Sequence, residues 1–302
     1  MKGDSLIKNL ARTSDHCIKA VPWIRRRGFD LVIPTDGRGI ISWSVPTRVA
    51  GKKLVYHHQA TGAGPLVKRA ASLSHVLITI SEYNDMGLPK KLRKRSIVVP
   101  NAVVEPTIER SRARQEIRNL LGIEEDQVVI GFVANMIKRK RPFIFVEIAG
   151  KLRSPSRTFP MFGNPENKET LMNLKQRALD LGVERSLPMP GFVPDIRNMM
   201  MGLDILVAPQ VDEGFGLNVA EAMAAGVAVV ASNSGAHPEF IDHEKTGLLV
   251  EPDDVEAFTA AVSRLLEDRA LLEAIGSEGR LYVREHHSLQ DFGDAFHRAI
   301  MV

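Results

Sequence analysis

The sequence predicts an α/β protein built on parallel sheets and divided into two domains. Short apolar runs of strand length alternate with helical stretches along the chain, which is the pattern of repeated βαβ units. A length of 302 residues gives room for two domains. Charge divides the chain in the same way. Residues 1–100 hold 18 Lys and Arg against 6 Asp and Glu, a net of +12, so the remainder carries −8 of a total of +4. A basic first part suits an anionic partner, either an anionic membrane surface or a phosphorylated acceptor; a solvated basic face is the plainer reading.

Composition narrows the class further. The apolar fraction of 44% is that of an ordinary globular protein. No run approaches the ~18 apolar residues that would span a bilayer. Met1-Lys2-Gly3-Asp4 lacks the apolar core of a signal peptide, and Cys17 is the single cysteine, which excludes an intramolecular disulfide and a cysteine-based zinc cluster. The expected location is cytoplasmic, with a peripheral contact at the inner membrane face through the basic first part. No nucleic acid partner is expected.

In the first part, a helix is expected from Leu6 to Ala20 and another from Pro65 to Ser72. Strands are expected over Asp30–Pro34, Lys53–His58, Val76–Ile80 and Ser96–Pro100, each a short apolar run with turn residues nearby. Val21-Pro22-Trp23-Ile24-Arg25-Arg26-Arg27 sets an aromatic beside cations, as a membrane-surface segment does. Lys90 to Arg95 is the densest basic cluster, and reads either as a phosphate contact or as a solvated run. Glu105 to Gly122 is polar, helical and linker-like.

The second part opens with a strand at Val128–Ala134. A cationic loop, Lys138-Arg139-Lys140-Arg141, follows, then a helix from Phe143 to Leu152. Cations between a strand and a helix start are well placed for a diphosphate. Further strands are expected over Thr158–Gly163, Leu187–Val193, Asp204–Val207, Val227–Ala231 and Gly247–Val250. The helices between and after them run from Asn167 to Leu181, Ile196 to Met201, Val255 to Leu266, Leu271 to Glu285 and Leu289 to Ile300. Asp253-Asp254 begins the helix of Val255 to Leu266 and reads as a cap, not as a metal site. His286 and His287 diverge on a helix, so they make a poor metal pair.

One stretch carries the chemistry: Glu213-Gly-Phe-Gly-Leu-Asn-Val-Ala-Glu221, between the apolar runs Ile205–Pro209 and Val227–Ala231. This is strand, glycine loop, helix and strand, with the loop at the carboxyl end of the first strand, where open α/β sheets bind ligands. Gly214 and Gly216 leave backbone N–H groups uncovered, and the helix beginning near Leu217 points its positive end at the same place. A phosphate suits that position. Glu213 and Glu221 are suited to sugar hydroxyls on either side of it, which describes a nucleotide sugar. Taken singly, the glycines are a tight turn and the early glutamate an answer to the helix dipole.

From Pro209 to Ser232 the chain reads P-Q-V-D-E-G-F-G-L-N-V-A-E-A-M-A-A-G-V-A-V-V-A-S. This closely resembles the donor-site signature of retaining glycosyltransferase family 4, the glycosyl transferases group 1. Gln210 stands where that family has Ser and Ala228 where it has Pro. Ile80-Ser81-Glu82, Ile97–Val103 and Ser234 to Phe240 resemble other family segments. The resemblance covers most of residues 30–302 and is strongest from Val128 onward.

The resemblance implies a GT-B architecture, two Rossmann-like domains whose parallel sheets face a cleft, with a truncated N-terminal domain because the usual opening strand, glycine loop and helix have no counterpart. Residues 1–110 would form the acceptor-side domain and 111–285 the nucleotide-sugar-binding domain, while 286–302 would be a helix crossing back to the first. The implied reaction is retaining transfer of a sugar from a UDP- or GDP-sugar to an acceptor hydroxyl in cell-surface glycan or glycolipid assembly; the acceptor is a glycan, a lipid-linked sugar or a small molecule. The resemblance places Glu213, Lys140 and His58, with His57 close behind, around the reacting sugar. It puts Asn135 (where the family has Arg), Arg139, Phe192, Val193, Phe215, Gly216, Leu217 and Glu221 on the donor, with Arg141 as a further substitute for the missing arginine. Loop N–H groups, the helix dipole and Lys140 would meet the leaving diphosphate's charge, so no metal or other cofactor is expected. The alternative is a nucleotide-sugar-binding protein or partner subunit without transferase activity, because the first domain is short.

Overall fold

Parallel pairing builds both sheets of the protein, which a computed structural model describes over residues 18–302. Met1–Asp4, Cys17 and most of the helix expected from Leu6 lie outside the described residues. Two compact units divide the chain, residues 1–101 with 292–302 and residues 102–291. The expected α/β class with parallel sheets is what the structure has.

In the first unit the order is α1 (residues 18–27), β1 (Leu31–Val32), α2 (Gly37–Val49), β2 (Lys53–His58), α3 (Pro65–Ala71), β3 (Val76–Thr79), α4 (Glu82–Met86), α5 (Lys90–Arg93) and β4 (Ser96–Val98). The four strands pair in sequence order, all parallel. Strand alternation sends Leu54 and Tyr56 of β2 to one face, with Ile40, Ala71 and Leu92. Val55 goes to the other, where Ile78 and Val99 meet Phe292, Phe296 and Ala299 of the chain's last helix, Leu289–Met301. A strand buried on both faces reads as a continuous apolar run, which is why these strands were legible in the sequence.

Some elements differ from expectation. Helix α2 had no sequence signal, because Gly37, Gly39 and Pro46 argue against a helix; the Asp36 side chain caps it by accepting from the Gly39 N–H at 2.7 Å. Helix α1 continues through Pro22 to residue 27, so Val21–Arg27 is helix and not a separate segment. The polar stretch from Glu105 becomes helical only at Arg110.

The second unit runs α6 (Arg110–Leu121), β5 (Val128–Val133), a 3-10 turn (Lys138–Lys140), α7 (Pro142–Lys151), β6 (Arg157–Thr158), β7 (Met161–Phe162), α8 (Lys168–Asp180), α9 (Ile196–Met199), a second 3-10 turn (Met200–Gly202), β8 (Ile205–Ala208), α10 (Leu217–Ala224), β9 (Ala228–Ser232), α11 (His237–Phe240), β10 (Leu248–Val250), α12 (Val255–Glu267) and α13 (Arg269–His286). Its parallel sheet has the order β10-β9-β8-β5-β6, with β7 also paired to β5. The core joins Ile130, Phe132, Ile205, Val207 and Val230 of the strands to Phe145, Leu174, Phe258 and Val262 of the helices. Asp254 caps α12, accepting from the Ala257 N–H at 2.9 Å.

Prolines account for two corrections. Thr158–Gly163 is not one strand but β6 and β7, separated at Phe159-Pro160. Leu187–Val193 follows that edge, with the carbonyls of Pro188 and Gly191 accepting from Met161 and Gly163. It forms no regular ladder, because Pro188 and Pro190 have no N–H to return.

Candidate active site

The carboxyl ends of β5, β8 and β9 bring three loops together in the second unit. From β8 comes Pro209 to Gly216, which carries Glu213. From β5 comes the 3-10 turn with Arg139 and Lys140. From β9 comes Asn233 to Ala236. The loops are sewn by backbone bonds: the Val211 N–H donates to the Arg139 carbonyl, and the Ala236 N–H to the Glu213 carbonyl, each at 2.9 Å. Gly235 has φ +65°, and a Cβ there would stand 2.5 Å from both the N and the O of Glu213. The third loop therefore needs glycine to close on the second.

Lys140 Nζ and Arg139 Nη1 both donate to Glu213 Oε2, at 2.5 and 2.9 Å. Burial alone would raise the Glu213 carboxyl, but the Lys140 ammonium, with Arg139 behind it, outweighs burial and holds the group below its usual value. Lys140 is itself lowered, mainly by burial, with Glu213 opposing. A carboxylate and two cations thus share one corner. Arg141 does not join them. It sits at φ 53° ahead of Pro142 and pairs with Asp253 through both its Nε and its Nη2. Of the two arginines, Arg139 faces Glu213 and Arg141 faces Asp253. Lys138 and Arg141 instead line a cavity of about 400 Å³ with Met136, Ile137, Phe143 and Thr170.

Helix α10 begins at Leu217 behind Gly216, which has φ +92° and no side chain to cap the helix. The first N–H groups of such a helix have no partner within it, and here they face the loop that holds Glu213. A Cβ on Gly216 would stand 2.9 Å from the His237 ring. The Phe215 side chain turns inward and stacks on Phe240 with ring centroids 5.4 Å apart, so what Phe215 can offer a ligand is backbone. Leu217 is exposed. Glu221 lies one turn further along. Burial raises its carboxyl, and Arg197, 3.9 Å away, offsets part of that rise.

Asn135 follows β5, exposed, with its side-chain oxygen accepting from the Asn164 N–H at 3.2 Å. Phe192 is 68% exposed on the turn after Gly191, a position suited to stacking and not to core packing; Val193 beside it is half-buried. The sequence reading missed Gln210, Asn218, His237 and Arg197. Polar residues inside an otherwise apolar strand–helix unit were the available signal for the first two.

The two histidines of β2 belong to the first unit. His58 is buried beside Tyr56, whose hydroxyl lies 2.9 Å from its Nδ1, and burial lowers its pKa to about 4 against the opposing charge of Asp85. His57 points to the opposite face, with its ring centroid 5.3 Å from that of Phe296, and burial lowers it too. Both Nε2 atoms are buried without a hydrogen-bond partner.

Comparison with known proteins follows the same lines. The family pattern described as Glycosyl transferases group 1 matches residues 113–282. The chain is 29% identical over 203 residues to the lipopolysaccharide core biosynthesis mannosyltransferase LpsB of Rhizobium meliloti, covering 60% of this chain and 55% of that protein. It is 28% identical over 300 residues to the UDP-Gal:alpha-D-GlcNAc-diphosphoundecaprenol alpha-1,3-galactosyltransferase of Escherichia coli, covering 88% of this chain and 74% of that one. The chain spans 33% to 55% of the lengths of the first three curated relatives it matches. Among solved structures, Anabaena Alr3699/HepE in complex with UDP and glucose superposes with a TM-score of 0.86 at 19% identity, covering 94% of this chain and 81% of that one; the likeness shows a shared fold.

Proposed function

Because the chain belongs to the glycosyl transferases group 1 family, we propose that it moves a sugar from a nucleoside-diphosphate donor to an acceptor hydroxyl, with retention at the anomeric carbon and without a metal. One observation carries the reading: Glu213, Lys140 and Arg139 meet beside the uncapped start of α10, with Glu221 one turn in. In the proposed complex the diphosphate lies against the Gly216 and Leu217 N–H groups and Lys140. Glu221 accepts from the ribose hydroxyls, and Glu213 orients the sugar and stabilises its cationic character as the bond to phosphate breaks. Charge that grows on the leaving group meets preorganised donors, which is where such donors lower a barrier. The phosphate that leaves then takes the acceptor's proton on the same face of the sugar. Phe192 and Val193 make the contacts to the base.

Two things support the donor class, and a third bears on the acceptor. Structures of the same fold hold UDP, UDP with glucose, and UDP-glucose. Curated relatives are named as mannosyl- and galactosyltransferases of lipopolysaccharide and undecaprenol-linked sugars. The basic first hundred residues suit an acceptor on or near an anionic surface. No helix among the described residues is long and apolar enough to cross a membrane.

Thermal shift against a panel of UDP- and GDP-sugars tests donor binding, since a ligand of the folded state raises the midpoint with concentration. Transfer is then followed with the labelled donor. Glu213→Gln should abolish transfer and leave most nucleotide affinity, and unchanged transfer removes Glu213 from the mechanism. One observation favours the second reading, binding without turnover. With Asn135 at the arginine position and Arg141 committed to Asp253, the diphosphate has fewer cations to meet. Donor binding without transfer to any acceptor in a broad panel decides for it.

A further inference from the structure

We propose that His237, Gln210 and Asn218 form a buried polar tie that positions the Glu213–Leu217 loop for its ligand, with His237 in the Nδ1–H tautomer. The proposal rests on the reading that this loop grips a nucleoside diphosphate.

Gln210, Ser232 and His237 have no exposed surface at all. Buried polar groups persist where each finds a partner, and here the pattern closes. His237 Nδ1 lies 3.0 Å from the Ser232 carbonyl oxygen, which only accepts, so Nδ1 carries the proton. Nε2 is then an acceptor, and Gln210 Nε2 donates to it at 3.2 Å. The second hydrogen of that amide goes to Asn218 Oδ1 at 2.9 Å. Asn218 Nδ2 donates to the Val133 carbonyl at 2.9 Å and to Gln210 Oε1 at 3.3 Å. The Ser232 hydroxyl donates to the Gln210 carbonyl. The tie thus joins the ends of β5, β8 and β9 to the first turn of α10, beneath the loop that carries Glu213. It also fixes the ring against which Gly216 folds, since a Cβ on Gly216 would stand 2.9 Å from His237 Cδ2 and Nε2. Apolar side chains would fill the same space without fixing the rotation of the α10 start. Burial keeps His237 neutral, lowering its pKa to about 4 against the charge of Glu213, with Lys140 acting in the same direction as burial. A proton on Nε2 would set two donors face to face and break the tie.

None of these three side chains touches the proposed substrate, so they are positioning residues. The test uses the full chain and UDP as probe. ¹⁵N-resolved NMR of the histidines should show His237 with the proton on Nδ1 and a hydrogen-bonded bare Nε2; the opposite tautomer overturns the proposal. Gln210→Met keeps volume and removes both donors. It should weaken UDP about tenfold or more, raise KM far more than it lowers kcat, and speed amide exchange in 213–219 while leaving exchange in β5 and β9 unchanged. UDP affinity within about twofold of wild type, with exchange in 213–219 unaltered, overturns it. Should Gln210→Met fail to fold, Asn218→Ala, at a partly exposed position, carries the same two readouts. If wild type itself does not bind UDP or any nucleotide sugar, the functional reading fails while the tautomer and exchange results still judge the tie.

Discussion

Glu213→Gln removes the carboxylate that Lys140 and Arg139 share, and the geometry sets how much that should cost. Lys140 Nζ and Arg139 Nη1 reach the same oxygen, at 2.5 and 2.9 Å. The Lys140 and Glu213 side chains each keep 12% of their accessible surface, while Arg139 keeps 43%. Exposed pairs are worth about 0–1 kcal/mol, and breaking a fully buried pair costs about 3–5 kcal/mol. The Glu213–Lys140 pair lies between these limits and nearer the buried one, so a coupling of about 2 kcal/mol is expected. The Glu213–Arg139 coupling should fall below about 1 kcal/mol. Double-mutant cycles with Glu213→Gln, Lys140→Met and Arg139→Met, read from urea unfolding at low and high salt, measure both couplings directly. Salt should reduce the Arg139 coupling and leave most of the Lys140 one. A Lys140 coupling under about 0.5 kcal/mol, or one smaller than that of Arg139, refutes the argument, because burial would then not be what sets the strength of the corner.

Acid should weaken both units in one window. His58 and His237 are held near pKa 4 in the fold against 6.5 unfolded. Their contribution is therefore complete above about pH 6.5 and is lost as pH falls toward 4, by about 2 kcal/mol each at pH 5. Urea midpoints at pH 7.5 and 5.0 should differ accordingly, and equal midpoints would contradict the burial of both rings. Gly235→Ala places a Cβ 2.5 Å from the Glu213 backbone at φ +65°. It should cost about 1–3 kcal/mol by chemical denaturation and lower UDP affinity with it. Arg141→Ala should leave UDP affinity within about twofold, because its guanidinium belongs to Asp253, whereas Arg139→Ala should reduce it; calorimetric titration of both variants separates the two roles.

Much of this was legible in the sequence because buried parallel strands are continuous apolar runs and their glycine loops are short. The four strands of the first unit and β5, β8, β9 and β10 of the second follow from that signal, and with them the placing of Lys140 and Glu213 in the loops after β5 and β8 and of Glu221 one turn into α10. What stayed hidden depended on contacts between distant residues. The helix Gly37–Val49 carries two glycines and a proline against it and stands by packing Ile40 onto the sheet and by its Asp36 cap. The edge at Leu187–Val193 looked like a strand because apolar content does not reveal that Pro188 and Pro190 withhold their donors. Local order could not divide the cations of Lys138 to Arg141, since which of them met Glu213 and which met Asp253 was set by a left-handed residue at Arg141 and by a partner 112 positions away. The same holds for His237, whose partner Gln210 lies past the end of β8, 27 positions away.

The charge corner also carries a consequence for binding. Without ligand, Glu213 is the counter-ion of Lys140 and Arg139. A diphosphate seated at the start of α10 would bring negative charge to the same two cations and compete for them. Glu213 would then lose part of the attraction that now holds its pKa down, while remaining buried, and burial alone raises it. Its carboxylate would be released from the ion pair toward the sugar, the direction in which the proposed chemistry needs it. The measurable sign is proton uptake by Glu213 on binding near pH 5. Isothermal titration of UDP in buffers of different ionisation enthalpy gives the proton count, and the difference between wild type and Glu213→Gln removes the protons that belong to UDP itself. Wild type should take up more protons than the variant. Equal counts would mean that the carboxylate keeps its cations in the complex, and with them a place outside the reacting centre.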